Sequence, residues 1–152
     1  MSVPVPTGVF GTSIALVDGD FTLVAGDLAL ISGRDNFVQA LHVIVGTPFG
    51  SDPININYGL DVEAIFTVAN SVRSIKDVIK LNLAKSLGAD DRIREITEIV
   101  FDDDPDFGVL APELAGGDPG ATARHGRQWH AVVAFTSVAG SEQQVLVSGV
   151  GP

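Results

Sequence analysis

The chain has no cysteine, which excludes disulfide frameworks, thiol nucleophiles and cysteine-ligated zinc. Its aromatic residues include a single Trp and a single Tyr, so an aromatic-lined sugar cleft would be hard to build. No apolar run approaches the roughly 18 residues that span a bilayer, and no Lys or Arg precedes the first apolar residues. We therefore expect neither a membrane span nor a secretory signal peptide.

Basic residues are also few. Nine Lys and Arg stand against nineteen Asp and Glu, and the formal net charge is −10. Such a chain is poorly suited to neutralising phosphates, so we expect no nucleic-acid partner. The acid is concentrated: residues 89–106 hold eight acids and two bases, whereas residues 61–88 hold three acids and four bases.

The length of 152 residues is that of one ordinary domain, and the 45% of residues that are apolar can supply its core. A proline- and glycine-containing stretch over residues 1–11 is expected to be an extended lead. Residues 13–31 then alternate short apolar runs with the pairs Gly19-Asp20 and Gly26-Asp27. Glycine supplies the positive φ angles of tight turns, so this segment predicts one or two short hairpins.

Two segments have helical spacing. Apolar residues recur every three to four positions over residues 35–45, with Asp35 as the expected N-cap. Ser71 is the expected cap of a second helix, which a left-handed Gly88 should end. Leu81 falls on the polar side of that helix. A single exposed leucine on a solvated face is common, and a partner contact is the alternative.

Three later segments are rich in β-branched residues and predict strands: residues 92–101, 128–138 and 142–150. The last two form a C-terminal hairpin. Residues 102–127, rich in Gly, Pro, Ala and Asp, predict a flexible excursion. The predicted fold class is α+β: a single domain with a mainly antiparallel sheet, two to three helices packed on it and a C-terminal β-hairpin.

The sequence contains no pattern that indicates a catalytic centre or a cofactor site. A nucleophile elbow, a phosphate-binding loop and a dinucleotide fingerprint are all missing. Two of the three histidines are five residues apart with no third ligand near them, which is a poor zinc set. The three are His42, His125 and His130. We expect no catalytic residue, no cofactor and no metal ligand.

An acidic string after the first long strand partly matches a calcium loop. Asp102, Asp104 and Asp106 occupy positions 1, 3 and 5 of a twelve-residue loop, and Glu113 occupies position 12. Position 6 is Phe107, where the calcium loop needs glycine for its sharp turn. This departure favours a solvated acidic loop and leaves calcium binding by residues 102–113 as an alternative.

Three stretches of the chain, taken together, resemble a known family. They are GDLALISGRDNFVQAL (26–41), GTPFGSDPININYGLDVEAIF (46–66) and GADDRIREITEIVF (88–101). Their order and spacing resemble the small, so-called lysozyme-like wedge subunit of contractile-tail baseplates. Contractile phage tails, type VI secretion machines and extracellular contractile injection systems share that subunit. The resemblance covers residues 26–101 and extends loosely into the final hairpin.

The resemblance implies one docking site. The family commonly carries Glu-Pro-Arg before the strand that follows the second helix, and this motif is assigned to docking on the core helices of the wedge. The matching place here is Asp90-Asp91-Arg92. The resemblance therefore implies that Asp90 and Arg92 bind a partner, with Arg92 facing an acid of a wedge protein, while Asp91 replaces the proline.

The resemblance also implies a role for the final hairpin. Sheath subunits in the family exchange strands, and the wedge subunit offers the first sheath ring an acceptor sheet. An open sheet edge has unpaired backbone N–H and C=O groups that another chain can pair with. We expect residues 128–138 and 143–148 to form this surface. The expected partner-binding side chains there are Trp129, Val133, Phe135, Val145 and Val147.

The expected function is a non-enzymatic, structural one. The chain would be a baseplate component in several copies (six expected) that binds wedge proteins and the sheath protein and starts sheath assembly. It would assemble in the cytoplasm of a prokaryote as part of a phage tail or tail-like particle. Two alternatives remain open: a cell-wall hydrolase, as the family's lysozyme-like label suggests, and the calcium-binding module described above.

Overall fold

The computed structural model describes residues 8–61, 63, 67, 71–112 and 128–150. Its first elements are six short strands: β1 (Thr12–Ile14), β2 (Leu16–Val17), β3 (Asp20–Phe21), β4 (Leu23–Val24), β5 (Asp27–Leu28) and β6 (Leu30–Ser32). β1 pairs with β6, and between them β2 pairs with β3 and β4 with β5. The two inner hairpins turn at Asp18-Gly19 and Ala25-Gly26, where every φ is positive. The predicted short hairpins with glycine turns are confirmed, and each turn lies one residue earlier than the predicted Gly-Asp pair.

Two long helices follow, α1 (Gly33–Gly46) and α2 (Val72–Leu87). Ser32, rather than Asp35, is the N-cap residue of α1, so the cap lies three residues before the predicted one. The predicted cap of α2 is confirmed, because the Ser71 hydroxyl accepts a hydrogen bond from the Ser74 N–H at 3.2 Å. Gly88 is right-handed, with φ of −67°, so its predicted left-handed conformation is wrong.

The main sheet consists of β7 (Ile93–Phe101), β8 (Gln128–Ser137) and β9 (Glu142–Val150). All pairs are antiparallel, and β8 lies between the other two strands. A single helical turn, α3 (Phe107–Leu110), lies between β7 and β8 in the chain. The register of β7 against β8 shifts near Glu95 and again near Glu98. The predicted strands and the α+β class with its C-terminal hairpin are confirmed.

The core lies between the main sheet and the two long helices. Because side chains alternate along a strand, one face of β8 presents Ala131, Val133 and Phe135 to the helices, and all three are buried. α1 contributes Phe37 and Leu41, and further apolar side chains of α2, β7 and β9 complete the cluster. Within the described residues no helix is both long and apolar enough to cross a membrane.

Parts of two segments expected to be extended or flexible are folded. Phe10, from the expected lead, is 1% exposed and stacks on Phe37 with ring centroids 4.8 Å apart. On the far face of the sheet, Phe107 and Ala111 form a second apolar cluster with Val100 and Val132. The start of the expected excursion therefore packs on the sheet, whereas residues 113–127 lie outside the described part of the chain.

Candidate functional site

The outer edge of β9 is partly closed by the chain's own helix α1. His42 Nε2 lies 2.8 Å from the carbonyl oxygen of Leu146, and Arg34 Nη2 donates to the carbonyl oxygen of Gln144 at 3.2 Å. Arg34 Nε also donates to the side-chain oxygen of Gln143 at 2.9 Å. Two successive outward carbonyl groups of β9 thus already have hydrogen-bond partners.

Of the expected acceptor surface in the C-terminal hairpin, only the outer side of β9 is a sheet edge. β8 pairs with β7 on one side and with β9 on the other, so it has no free edge. The hairpin predicted from the sequence did not include the long-range pairing of β8 with β7. Because of that pairing, β8 is the central strand of the sheet. An incoming strand at β9 would have to displace Arg34 and His42.

The five side chains expected to contact a partner on this hairpin lie in the core. Their exposed fractions are 8% for Trp129, 0% for Val133, 2% for Phe135, 4% for Val145 and 1% for Val147. Strand alternation places them on the face that the helices cover. In this fold they contact the chain itself, so their expected role as partner contacts is corrected.

The edge of β7 lies beside an open groove. The groove has a volume of about 510 Å³ and runs between α2 and β7. Its lining residues are Lys80, Leu81, Ala84, Ile96, Thr97, Glu98, Ile99, Val100 and Asp104. Leu81, 70% exposed, projects from α2 at this place, so its predicted exposure is confirmed. We call this feature the β7-edge groove.

Backbone groups of β7 point away from β8. The carbonyl of His130 accepts from the Asp102 N–H at 3.1 Å, which shows that even-numbered β8 residues bond toward β7. Odd-numbered β8 residues then bond toward β9. Ile96 and Ile99 pair with the odd-numbered Phe135 and Val133, so their N–H and C=O groups face outward. An added strand could bond to these groups.

The rim of the β7-edge groove has charges of both signs. Lys80 lies on one side, with its ammonium 5.9 Å from the centre of the Phe101 ring. Glu98 and Asp104 line the same groove. An apolar floor with a mixed rim suits an extended peptide segment that carries apolar side chains. The sequence analysis identified Leu81 but missed the β7 residues of the groove. The signal that could have indicated them is that β7 has apolar residues on both of its faces.

Asp90 and Arg92 pair with each other. Arg92 Nε donates to Asp90 Oδ1 at 2.8 Å, and Arg92 Nη2 donates to Asp90 Oδ2 at 2.6 Å. The guanidinium also lies 4.8 Å from the centre of the Phe37 ring, above the aromatic core. The acid that faces Arg92 in this structure is Asp90 of the same chain, two residues away. Partner binding by Asp90 and Arg92 stays a prediction.

Asp90 and Arg92 nonetheless border a hollow of about 600 Å³ with Tyr58 and Ser86. Burial raises the pKa of Tyr58, and the nearby Asp90 charge adds to this rise. For Asp90 itself, burial would raise the pKa, but the hydrogen bonds and charge of Arg92 outweigh it, so the pKa of Asp90 lies below its usual value. The carboxylate therefore stays ionised beside its arginine.

Two acidic residues after β7 bond to other groups of the same chain. Asp103 pairs with Lys76, and the Asp104 carboxylate accepts from the Asp106 N–H at 3.1 Å. Burial raises the pKa of Asp102, and the neighbouring Asp103 charge adds to this while His130 opposes it. Within the described residues no group of three or more acids and histidines is placed to hold a metal ion. Glu113, the twelfth position of the supposed calcium loop, lies outside those residues.

Comparison with known proteins gives little beyond this geometry. No protein-family model matches the chain, and no curated protein matches it. A crystal structure from Geobacter sulfurreducens, described as a "putative tail lysozyme", is similar to this chain with a TM-score of 0.47 and 11% sequence identity. The match covers 83% of this chain and 97% of the other.

A likeness of this strength assigns no function to this chain. The neighbour has a tail-related name, and neither a wedge nor a sheath-initiator family is shown. The name is also that of a hydrolase, which contradicts the expectation that this chain is not an enzyme, and we withdraw that expectation. The chain is thus similar to a tail-related protein of known structure.

Proposed function

We propose that this chain is a structural component of a phage tail or tail-like particle that binds a neighbouring subunit through the β7-edge groove. The observation that carries the proposal is an edge strand with outward backbone groups next to the 70% exposed Leu81. Such an edge invites strand pairing unless something covers it. In the assembled particle the cover would be a strand of another chain.

The binding mechanism is strand addition. A segment laid antiparallel or parallel to β7 would bond to the outward groups of Ile96 and Ile99. Every second side chain of that segment would contact Leu81 and Ala84. Backbone bonds supply affinity without regard to sequence, whereas the apolar floor and the charge of Lys80 select register and direction.

The partners follow from the family that the sequence resembles. The sheath protein would supply the added strand, so that several copies of this chain around a baseplate start the first sheath ring. Baseplate wedge proteins would bind at the hollow that Tyr58, Asp90 and Arg92 border. Assembly would take place in the cytoplasm of the host prokaryote.

The first prediction concerns Leu81. Leu81→Asp places a charge on the apolar floor of the groove, and we expect it to weaken binding of the purified sheath protein by about tenfold or more, as loss of a central apolar anchor does. The fold should be unaffected because Leu81 is 70% exposed. Biolayer interferometry measures the binding, and circular dichroism checks the fold.

Ile54→Asp is the matched control, since Ile54 is 95% exposed and lies outside the groove. It should bind the sheath protein as the wild type does. Equal affinity of Leu81→Asp and the wild type, together with normal sheaths in electron micrographs of particles that carry Leu81→Asp, would refute the role of the groove.

A second candidate function is peptidoglycan hydrolysis. Glu98 and Asp104 both line the β7-edge groove, and glycosidases act with two carboxyl groups. Zymography on peptidoglycan tests this directly. Clearing by the wild type that Glu98→Gln abolishes would assign hydrolysis to the groove, whereas a wild-type band without clearing would count against it.

A further inference from the structure

The paired hairpins of residues 12–32, which we call the Gly-Asp arm, expose an unusual amount of apolar surface. Six of its large apolar side chains are about half exposed or more: Val17 (56%), Phe21 (64%), Leu23 (65%), Val24 (63%), Leu28 (47%) and Leu30 (71%). Single exposed apolar residues are normal on proteins, but a group of them within one small element indicates an interaction site.

The strand register aligns these side chains in pairs. Leu23 lies opposite Leu28, and Leu30 lies opposite Ile14. Residues directly opposite each other in an antiparallel ladder point to the same face. Each ladder therefore presents an apolar pair, and the exposed fractions show that no other described part of the chain covers them.

The base of the Gly-Asp arm is held firmly against α1. The Gln39 side chain accepts from the Leu16 N–H at 2.8 Å and donates to the Ile14 carbonyl at 2.9 Å, as a paired strand residue would. Asn36, 6% exposed, donates to the Phe10 carbonyl at 2.7 Å. A surface with an anchored base loses less conformational freedom on binding than a loose loop does.

The charges on the Gly-Asp arm have one sign. Asp18, Asp20 and Asp27 are the only charged residues between positions 8 and 33. Each lies in or beside one of the two inner turns, next to the exposed apolar side chains. The arm therefore offers an apolar surface bordered by carboxylates.

We propose that the Gly-Asp arm is a docking surface for a protein whose complementary patch is apolar and bordered by Lys or Arg. Charge complementarity selects this partner. An anionic membrane surface would repel the three carboxylates. Two copies of this chain meeting arm to arm would bring like charges together, which disfavours self-association through this surface.

The test uses the full-length chain against purified tail proteins encoded by the flanking genes, each immobilised singly for biolayer interferometry. We expect one of them to bind the wild type and to bind the combined variant Phe21→Ser, Leu23→Ser, Leu28→Ser about tenfold or more weakly. The combined variant Asp18→Asn, Asp20→Asn, Asp27→Asn should associate several-fold more slowly, with a smaller dependence on salt.

The matched control replaces three exposed apolar residues elsewhere: Ile54→Ser, Val109→Ser and Val138→Ser, which are 95%, 79% and 49% exposed. This control should bind as the wild type does. Leu81→Asp should also leave binding through the Gly-Asp arm intact. The two variants therefore distinguish a failure of the groove proposal from a failure of the arm proposal. Circular dichroism confirms that each variant is folded.

Three results would overturn the proposal. The first is that no flanking tail protein binds the wild type, or that every one that does binds the arm variant equally well. The second is that sedimentation equilibrium shows self-association which the arm variant loses, which would assign the surface to a second copy. The third is that the wild type floats with anionic phosphatidylglycerol vesicles and the arm variant does not.

Discussion

Arg92 connects the polar loop before β7 to the aromatic core. Its guanidinium binds both carboxylate oxygens of Asp90 and lies over Phe37, which in turn stacks on Phe10. The side chains of Asp90 and Arg92 are 10% and 26% exposed, so both partners are largely removed from water. Removing one of them would leave a mostly buried charge without a partner, and such changes are costly.

The second prediction follows from this pair. Asp90→Asn should lower the free energy of unfolding by about 1–3 kcal/mol near pH 7. The pKa of Asp90 is lowered in the folded chain, so its contribution is complete above the unfolded pKa of about 4 and is lost as pH falls through the folded value. The difference between variant and wild type in urea titrations should therefore shrink as pH falls below the unfolded pKa of about 4.

Asp91→Asn is the control for this experiment, because Asp91 is exposed and makes no ion pair in the described structure. A constant difference between Asp90→Asn and the wild type from neutral to acid pH would contradict the electrostatic account. Arg92→Glu is expected to destabilise the domain as well, so it is not a clean test of partner binding.

The third prediction concerns Gly149, which pairs directly with Trp129 across β8 and β9. A Cβ atom at Gly149 would lie 2.4 Å from Cζ2 of the indole ring. Gly149→Ala should therefore displace the ring and cost about 1–3 kcal/mol of stability, as overpacking does. Trp129 is the chain's single tryptophan, so its fluorescence reports the displacement.

Gly46→Ala serves as the comparison for Gly149→Ala, since a Cβ atom there meets nothing within 4 Å. It should leave the fluorescence spectrum unchanged. If Gly149→Ala had wild-type stability and an unchanged spectrum, the close contact with the indole ring would be absent in solution.

At the scale of elements, the two edges of the main sheet are treated differently. α1 places Arg34 and His42 on the outward carbonyls of β9. β7 instead has register shifts near Glu95 and Glu98, which interrupt its ladder without covering it. Irregularities of this kind are one way in which proteins limit uncontrolled strand pairing. A partner that matches the irregular edge could still bind, which favours a specific neighbour over aggregation.

The Gly-Asp arm and the main sheet should also differ in local stability, which is the fourth prediction. The inner hairpins have ladders of two residues and little apolar cover, whereas β8 is bonded on both sides and buried. In the isolated chain, amides of β2 to β5 should exchange with solvent at least about a hundredfold faster than those of β8, because exposed short elements open locally. Hydrogen-exchange NMR measures both sets of amides.

Equal protection of the hairpins and of β8 in the isolated chain would contradict that prediction. It would mean that the arm opens only with the whole domain. Protection that appears on the arm only after addition of a bound tail protein would agree with the docking proposal, since the partner would supply the missing cover.

At the scale of the whole molecule, charge and apolar exposure are distributed unevenly. α2 holds four of the nine basic residues, Arg73, Lys76, Lys80 and Lys85, in a chain of net charge −10. The β7-edge groove borders this helix, whereas the Gly-Asp arm has only acidic residues. Two surfaces of different character are what a component with two different neighbours requires. The alternative function, peptidoglycan hydrolysis, would also use the β7-edge groove. Zymography distinguishes it from a role in assembly.

Much of the fold could be predicted from the sequence because its signals are local. The glycine turns, the capped helix α2 and the three strands depend on residues a few positions apart, and all are present. Errors occurred where local signals compete: Ser32, not Asp35, occupies the N-cap position of α1, although its side chain makes no capping hydrogen bond. The burial of Phe10 against Phe37 had no local signal, since it joins residues 27 positions apart through the core.

The candidate site was predictable only in part. Leu81 was identified because the face of a helix follows from its period. Five residues of β8 and β9 were assigned to a partner because alternation tells which side chains share a face but not which face the helices cover. Arg92 was assigned to a partner's acid, although an acid two residues away in the same loop was sufficient.

By itself the sequence determined the elements, the class of the fold and the acidic, apolar character of the N-terminal hairpins, because periodicity, turn chemistry and composition act over short distances. Only the tertiary structure decided which sheet edge is open. Edge exposure depends on which strands pair and on where α1 lies, and both are set by contacts between residues far apart in the chain. Among the described residues, the open edge is therefore that of β7.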